Sequence, residues 1–312
     1  MTDRPTNLPP GILERVQTMI KAMFALGVFA VSSLLNVSAM AVETAKVEAI
    51  TIGSADFPES QLLATIYAKA LGAKGIAVNT KLNIGSREVY LPALLDGSID
   101  MIPEYSGATL SYLDKKATAH SPQDVAEALR KALPEGISML PPSSAQDSDV
   151  VVVTKATAEK YQLATIADLK PVAHQLVLGG PPEWKSRKEG VLGLKEVYGL
   201  TFKSFKTLDV AGPLTLSALL NGQIDAADLT STDPAIKSNN LVPLADPLNL
   251  FPAQNIVPIF AAKKMTPEMA NLLNAVSAAL TTEDLIVMNG SLNEHESIDV
   301  IAARWLTAHK MN

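Results

Sequence analysis

Short apolar, β-branched runs alternate along this chain with segments whose apolar residues recur every three or four positions. The runs VEAITIG (47–53), IAVNTKL (76–82), DMIPEY (100–105), VVVVT (150–154), QLVLG (175–179), FKSFKT (202–207), IDAADL (224–229) and IVPIFAA (256–262) predict strands. Helical spacing marks 60–73, 122–133, 212–220, 267–280 and 298–310. Strands alternating with helices imply α/β layers around largely parallel sheets.

One unit occurs twice. Ala93–Asp100 reads ALLDGSID and Ala218–Asp225 reads ALLNGQID. In both, a helix ends at a glycine able to take the left-handed conformation, and an Ile-Asp pair opens the next strand. Convergent use of a common helix-to-strand turn would give the same letters; the stronger reading is two lobes of similar build. The polar stretch PPSSAQDSD (141–149) leads into VVVVT, and the proline-rich PLADPLNLFPAQN leads into IVPIFAA. The expected division is therefore 42–149 plus 256–312 for lobe one and 150–255 for lobe two. Hinge crossings are expected near Val150–Thr154 and Ile256–Ala261, with a ligand cleft between the lobes.

Ahead of these elements, Arg15 and Lys21 precede the apolar run AMFALGVFAVSSLL (22–35), and Ala39-Met40-Ala41 supplies the small residues of a cleavage site. That order is the order of a secretory signal, and the run is shorter than the ~20 residues of a usual membrane span. Residues 1–41 are thus expected to be a signal peptide cut after Ala41, and the product to be periplasmic. The chain has no cysteine, which excludes disulfides, thiolate sites and a lipid-modified N-terminal cysteine. With 26 basic against 32 acidic residues in 312, a broad nucleic-acid surface is not expected, and four scattered histidines offer no i, i+4 metal pair.

In such folds ligands sit where strand ends meet helix starts at a crevice. The segments so placed are GSADFPES (53–60), IGSREV (84–89), PEYSGA (103–108), SSAQDSD (143–149), GGPPEWKSR (179–187), DLTSTDP (228–234) and FPAQN (251–255). They make Ser54, Asp56, Arg87, Tyr105, Ser106, Asp149, Glu183, Trp184, Arg187, Thr230, Ser231, Thr232 and Gln254 the candidate ligand-binding residues.

The ordered series GSADFPESQLLATIYAKAL, LNIGSREVYLPALLDGSIDMIPEYSGATLSYL, LPPSSAQDSDVVVVT, PPEWKSRKEGVLGLKEVYGL, STDPAI and FPAQNIVPIF resembles the substrate-binding proteins of ABC importers for glycine betaine, choline, carnitine and related osmoprotectants. The resemblance runs from about Ile50 to the last helices. It implies a type II periplasmic-binding-protein fold, the two-lobe Venus flytrap. It further implies a monomeric carrier without cofactor or catalysis, delivering a small molecule to an inner-membrane permease coupled to a cytoplasmic ATPase. A sensory protein presenting its bound form to a membrane receptor is the alternative, because the same fold serves both.

The family's aromatic cage holds quaternary ammonium groups by cation–π attraction. Tyr105 falls on a family tyrosine. Glu183, Trp184 and Arg187 match a Glu-aromatic-x-x-Arg pattern in which the arginine fork suits a ligand carboxylate. A frequent lysine is replaced by Ala55, and further cage tyrosines align with Asp149, Thr230 and Gln254. A cage reduced to Tyr105 and Trp184 is expected to hold trimethylammonium poorly, and Asp149 is expected to favour a ligand bearing N–H groups.

Overall fold

The structure, a computed structural model, describes residues 49–312, so the expected export signal lies outside the described residues. Its strands are β1 (Ile50–Gly53), β2 (Val78–Lys81), β3 (Met101–Tyr105), β4 (Ile137–Met139), β5 (Asp149–Val153), β6 (Val177–Gly180), β7 (Ser204–Thr207), β8 (Ala226–Thr230), β9 (Val242–Pro243) and β10 (Ile256–Ala261). They form two five-stranded sheets, ordered β2-β1-β3-β10-β4 and β7-β6-β8-β5-β9. All the strands expected from pattern are present, each within three residues of its expected bounds. The edge strands β4 and β9, of three and two residues, are too short to print a periodicity.

Both sheets share one plan. Three strands are mutually parallel, β2-β1-β3 in one and β7-β6-β8 in the other. The fourth strand, β10 or β5, runs antiparallel to both its neighbours. This departs from the largely parallel expectation for a topological reason: β10 and β5 are the strands by which the chain enters each sheet from the other one. Helices cover both faces of each sheet, which is why β5 and β10 read as unbroken apolar runs. In the first sheet Ile50 and Ile52 face a core shared with Leu62, Ile66, Leu273 and Trp305, while Val257 and Ile259 face one shared with Leu91, Leu94 and Leu129.

The repeated unit adopts the same geometry in both sheets. Gly97 and Gly222 end their helices at φ +81° and +66°. The N–H groups of Asp100 and Asp225 donate to the carbonyls of Thr51 (2.7 Å) and Val177 (2.8 Å). Their carboxylates in turn accept from the N–H groups of the same two residues, at 2.8 Å each. A Cβ added at Gly53 would lie 2.6 Å from Ile99 Cδ1, and one at Gly179 would lie 2.5 Å from Ile224 Cδ1. The two units therefore seat their isoleucines on matching glycines.

The chain passes from one sheet to the other between β4 and β5 and returns between β9 and β10. Gln146 and Asn255 make an isolated antiparallel bridge. Asp147 N–H donates to the Gln254 carbonyl (3.2 Å), and Ile256 N–H to that of Ala145 (3.0 Å). VVVV and IVPIFA are buried inside the sheets because β-branched apolar residues need cover on both faces. The polar residues preceding them can travel between lobes because their backbone groups pair with each other.

Candidate functional site

Both crossings, the carboxyl ends of β3 and β8 and the amino end of β5 converge on one cleft. At one end stands Glu59, in the first turn of the helix Pro58–Gly72 and only 5% exposed. It accepts hydrogen bonds from the Tyr105 hydroxyl (2.7 Å), the Thr232 hydroxyl (2.8 Å) and the Asn289 amide (2.6 Å). Thr232 follows β8, so the Thr232–Glu59 bond joins the two lobes. Asp147, on the first crossing, accepts from the Thr232 N–H (3.0 Å) and the Ser231 hydroxyl (3.3 Å). Burial pushes the Asp147 carboxyl well above the usual range, and the Glu59 charge pushes the same way.

At the other end two arginines are already engaged by the chain's own carboxylates. Arg87 Nε and Nη2 donate to Glu104 Oε1 and Oε2, both at 2.8 Å, and Glu104 also accepts from the Tyr90 hydroxyl and the Tyr105 N–H. Arg187, beyond β6, reaches across the cleft and donates to Glu88 through Nε (3.2 Å) and Nη2 (2.9 Å). Burial works upward on the Glu88 carboxyl, but hydrogen bonds from Arg187 and Ser86 outweigh it and bring it to about 2. Glu183, the sequence neighbour of Arg187 on the pattern, is the more distant partner at 3.8 Å. A cavity of about 650 Å³ opens beside this pair, lined by Arg87, Glu88, Tyr112, Arg187 and Glu189.

Between the two ends lies a set of acids. Asp149 stands opposite Thr230 in the β5–β8 ladder and Asp228 opposite Val151, which puts both aspartates on one face of the sheet. Asp149 is half-exposed yet flanked by protein: desolvation, then the Glu189 charge, raises it to about 6 against the downward pull of Arg187 and Arg87. Asp228, 3% exposed, is pushed well up by burial and then by the Asp149 charge. Asp228 Oδ1, Glu189 Oε1 and Trp184 Nε1 are buried without a full hydrogen-bond partner, although the indole N–H still steadies the Asp149 carboxyl. Gly190 makes the tight return past Trp184 possible, since a Cβ there would lie 1.9 Å from the Trp184 carbonyl oxygen.

The candidate residues thus separate. Asp149, Thr230, Ser231, Thr232, Tyr105, Glu183 and Arg187 gather at the cleft. Arg87 is there too, but its Nε and Nη2 are occupied by Glu104. Ser54 is buried away from it, donating to the Ala55 carbonyl and accepting from Asn83 N–H. Asp56 is exposed. Ser106 and Gln254 secure the second crossing, through Ser106 hydroxyl to Ala253 carbonyl (3.1 Å) and Ala108 N–H to Gln254 Oε1 (2.8 Å). Trp184, 1% exposed, stacks on Phe251 in the core of its lobe, and Tyr105 packs against Phe57. Sequence reasoning missed Glu88, Asp147, Glu189, Asp228 and Asn289 as site residues; an acid inside the otherwise apolar strand β8 was the one signal available for Asp228.

Among the described residues no group of three or more His, Cys, Asp or Glu is placed to hold a metal ion, and no helix is long and apolar enough to cross a membrane. Over residues 48–308 the chain matches the family model described as the substrate-binding domain of ABC-type glycine betaine transport systems. It is 25% identical over 282 residues to the glycine-betaine-binding protein of Pseudomonas aeruginosa, covering 86% of this chain and 90% of that one. It is 26% identical over 249 residues to the carnitine transport binding protein OpuCC of Listeria monocytogenes, covering 78% and 80%. A crystal structure of a glycine betaine/carnitine/choline ABC transporter protein has the same fold, with TM-score 0.67, 23% identity and coverage of 84% of this chain and 99% of that one. The two-sheet architecture and this match over most of the chain agree: the protein belongs to the family of substrate-binding proteins of osmoprotectant ABC importers.

Proposed function

We propose that this protein captures a small zwitterionic or cationic compound between its lobes and presents it, as a monomer in the periplasm, to an inner-membrane permease driven by a cytoplasmic ATPase. The signal peptide is removed after Ala41, and the protein performs no chemistry on its cargo. The observation that supports this reading is the convergence of both lobes on one polar cleft, joined across it by Thr232–Glu59 and Arg187–Glu88. In this reading the lobes are 42–149 with 256–312, and 150–255. They rotate about the crossings at Ala145–Ser148 and Ala253–Asn255, and a ligand touching both lobes favours the closed arrangement.

Calorimetric titration of residues 42–312 with small organic cations and zwitterions, together with X-ray scattering, tests the reading. At least one compound is expected to bind and to reduce the radius of gyration. A folded protein that binds none of them removes the carrier function, and new products in the titrated sample would reveal an enzyme.

A further inference from the structure

The charges at the cleft do not balance. The guanidinium groups of Arg187 and Arg87 act on Asp149, and that of Arg187 on Asp228, while Lys115 and Lys188 line the adjoining cavity, where Lys188 donates to the Ala117 carbonyl (2.6 Å). Each guanidinium is met by two oxygens of a protein carboxylate, Glu104 for Arg87 and Glu88 for Arg187. A ligand carboxylate would be left with the outer N–H groups of a guanidinium whose charge a protein carboxylate already neutralises through a strong bidentate pair. On the other side the acids outnumber their partners. Asp228 Oδ1 and Glu189 Oε1 are buried, 3% and 5% exposed by residue, with no hydrogen-bond donor. A buried oxygen left without a donor is unfavourable, and a buried carboxylate needs a positive charge or several N–H groups.

The two rings expected to form the cage give no home to a methylated nitrogen. Trp184 lies flat on Phe251, at 6.4 Å and 10° between planes, and is sealed within its lobe. Tyr105, 7% exposed, spends its hydroxyl on Glu59. A trimethylammonium group has no N–H to offer Asp228 or Glu189, and it would find neither ring face open. The absence of any metal-holding trio among the described residues points to an organic cation.

We infer that the ligand is an organic cation rich in N–H groups and lacking a carboxylate, an amine, guanidine or amidine, seated on Asp149, Asp228 and Glu189. This rests on the carrier function proposed above. Arg187, in place of reading a ligand carboxylate, closes the cleft by taking Glu88 from the opposite lobe.

The test is calorimetry of residues 42–312 at pH 7.5 with methylguanidine, agmatine and putrescine, and with glycine betaine, carnitine, choline and arginine. Agmatine and arginine share a guanidinium and differ in the carboxylate, so agmatine is expected to bind at least tenfold more tightly. Asp228→Asn is expected to cost the N–H cations at least tenfold in affinity while the melting temperature of the free protein holds or rises, because a buried carboxyl is neutralised. Should that variant fail to fold, Asp149→Asn carries the same expectation for affinity. Equal or tighter binding of arginine, or undiminished affinity in the folded variant, overturns the inference. Binding of glycine betaine, carnitine or choline with refusal of the amines and guanidines also overturns it but leaves the carrier function standing, whereas refusal of both groups removes the two together.

Discussion

Asp149 is the residue at which reading the sequence and reading the structure meet. Its place where a cage aromatic was expected is visible in the sequence; its neighbours are not. Glu189 and Asp228 face it with like charge, Arg187, Arg87 and the Trp184 N–H face it with the opposite influence, and its carboxyl titrates near 6. Because the folded value lies above the unfolded one of 3.8, the folded chain holds a proton that the unfolded chain has released between about pH 4 and 6. This contribution to stability is full below pH 4 and is lost as pH rises through 6. Ligand affinity runs the other way, since a cation prefers the ionised carboxylate. Affinity for an N–H cation is expected to fall by up to about fivefold between pH 6 and 5. Calorimetry across that range should show the fall in the wild type and a flatter profile in Asp149→Asn.

At the level of elements, the most legible feature is the unit ALLDGSID/ALLNGQID. Its glycine, its isoleucine and its aspartate each have a local backbone reason, so eight letters predict one turn wherever they stand. What the letters do not contain is that each aspartate closes a two-way exchange with the opening of a neighbouring strand, Thr51 in one sheet and Val177 in the other. Asp100→Ala and Asp225→Ala each leave a strand N–H without its acceptor and are expected to destabilise by about 1 to 3 kcal/mol, measured by urea unfolding. Unequal effects in the two sheets would deny that the units are structural equivalents. Of the helix Arg87–Leu95, which Pro92 interrupts, only the glycine-terminated end was expected, and Thr282–Asn293 escaped expectation because its apolar residues bunch at Leu285–Met288 instead of recurring every three or four positions.

For the molecule as a whole, the decisive contacts cross between lobes. Arg187 and Glu88 are partly exposed, with side chains 22% and 43% accessible, so their pair contributes on the order of 0.5 to 1 kcal/mol to closure once solvent screening is counted. Since hydrogen bonds hold Glu88 at about 2, the latch is complete above its ordinary value of 4.5 and weakens only as pH falls toward 2. Glu88→Gln is expected to enlarge the mean radius of gyration in scattering and to weaken all ligands alike, about two- to fivefold. A loss confined to carboxylate ligands in Arg187→Ala would return Arg187 to the role of ligand reader.

The division between the two sources of information follows the range of the forces. Strand and helix periodicity, the repeated turn and the charge balance are local or additive properties, and the sequence by itself determines them. Which carboxylate each arginine takes, where the chain crosses between lobes, and which acids are left without a donor depend on residues from about 17 to 173 positions apart in the chain meeting in a site that excludes water. Only the tertiary structure decides those pairings, and they turn a cleft expected to offer an arginine to a carboxylate into one that offers carboxylates to a cation.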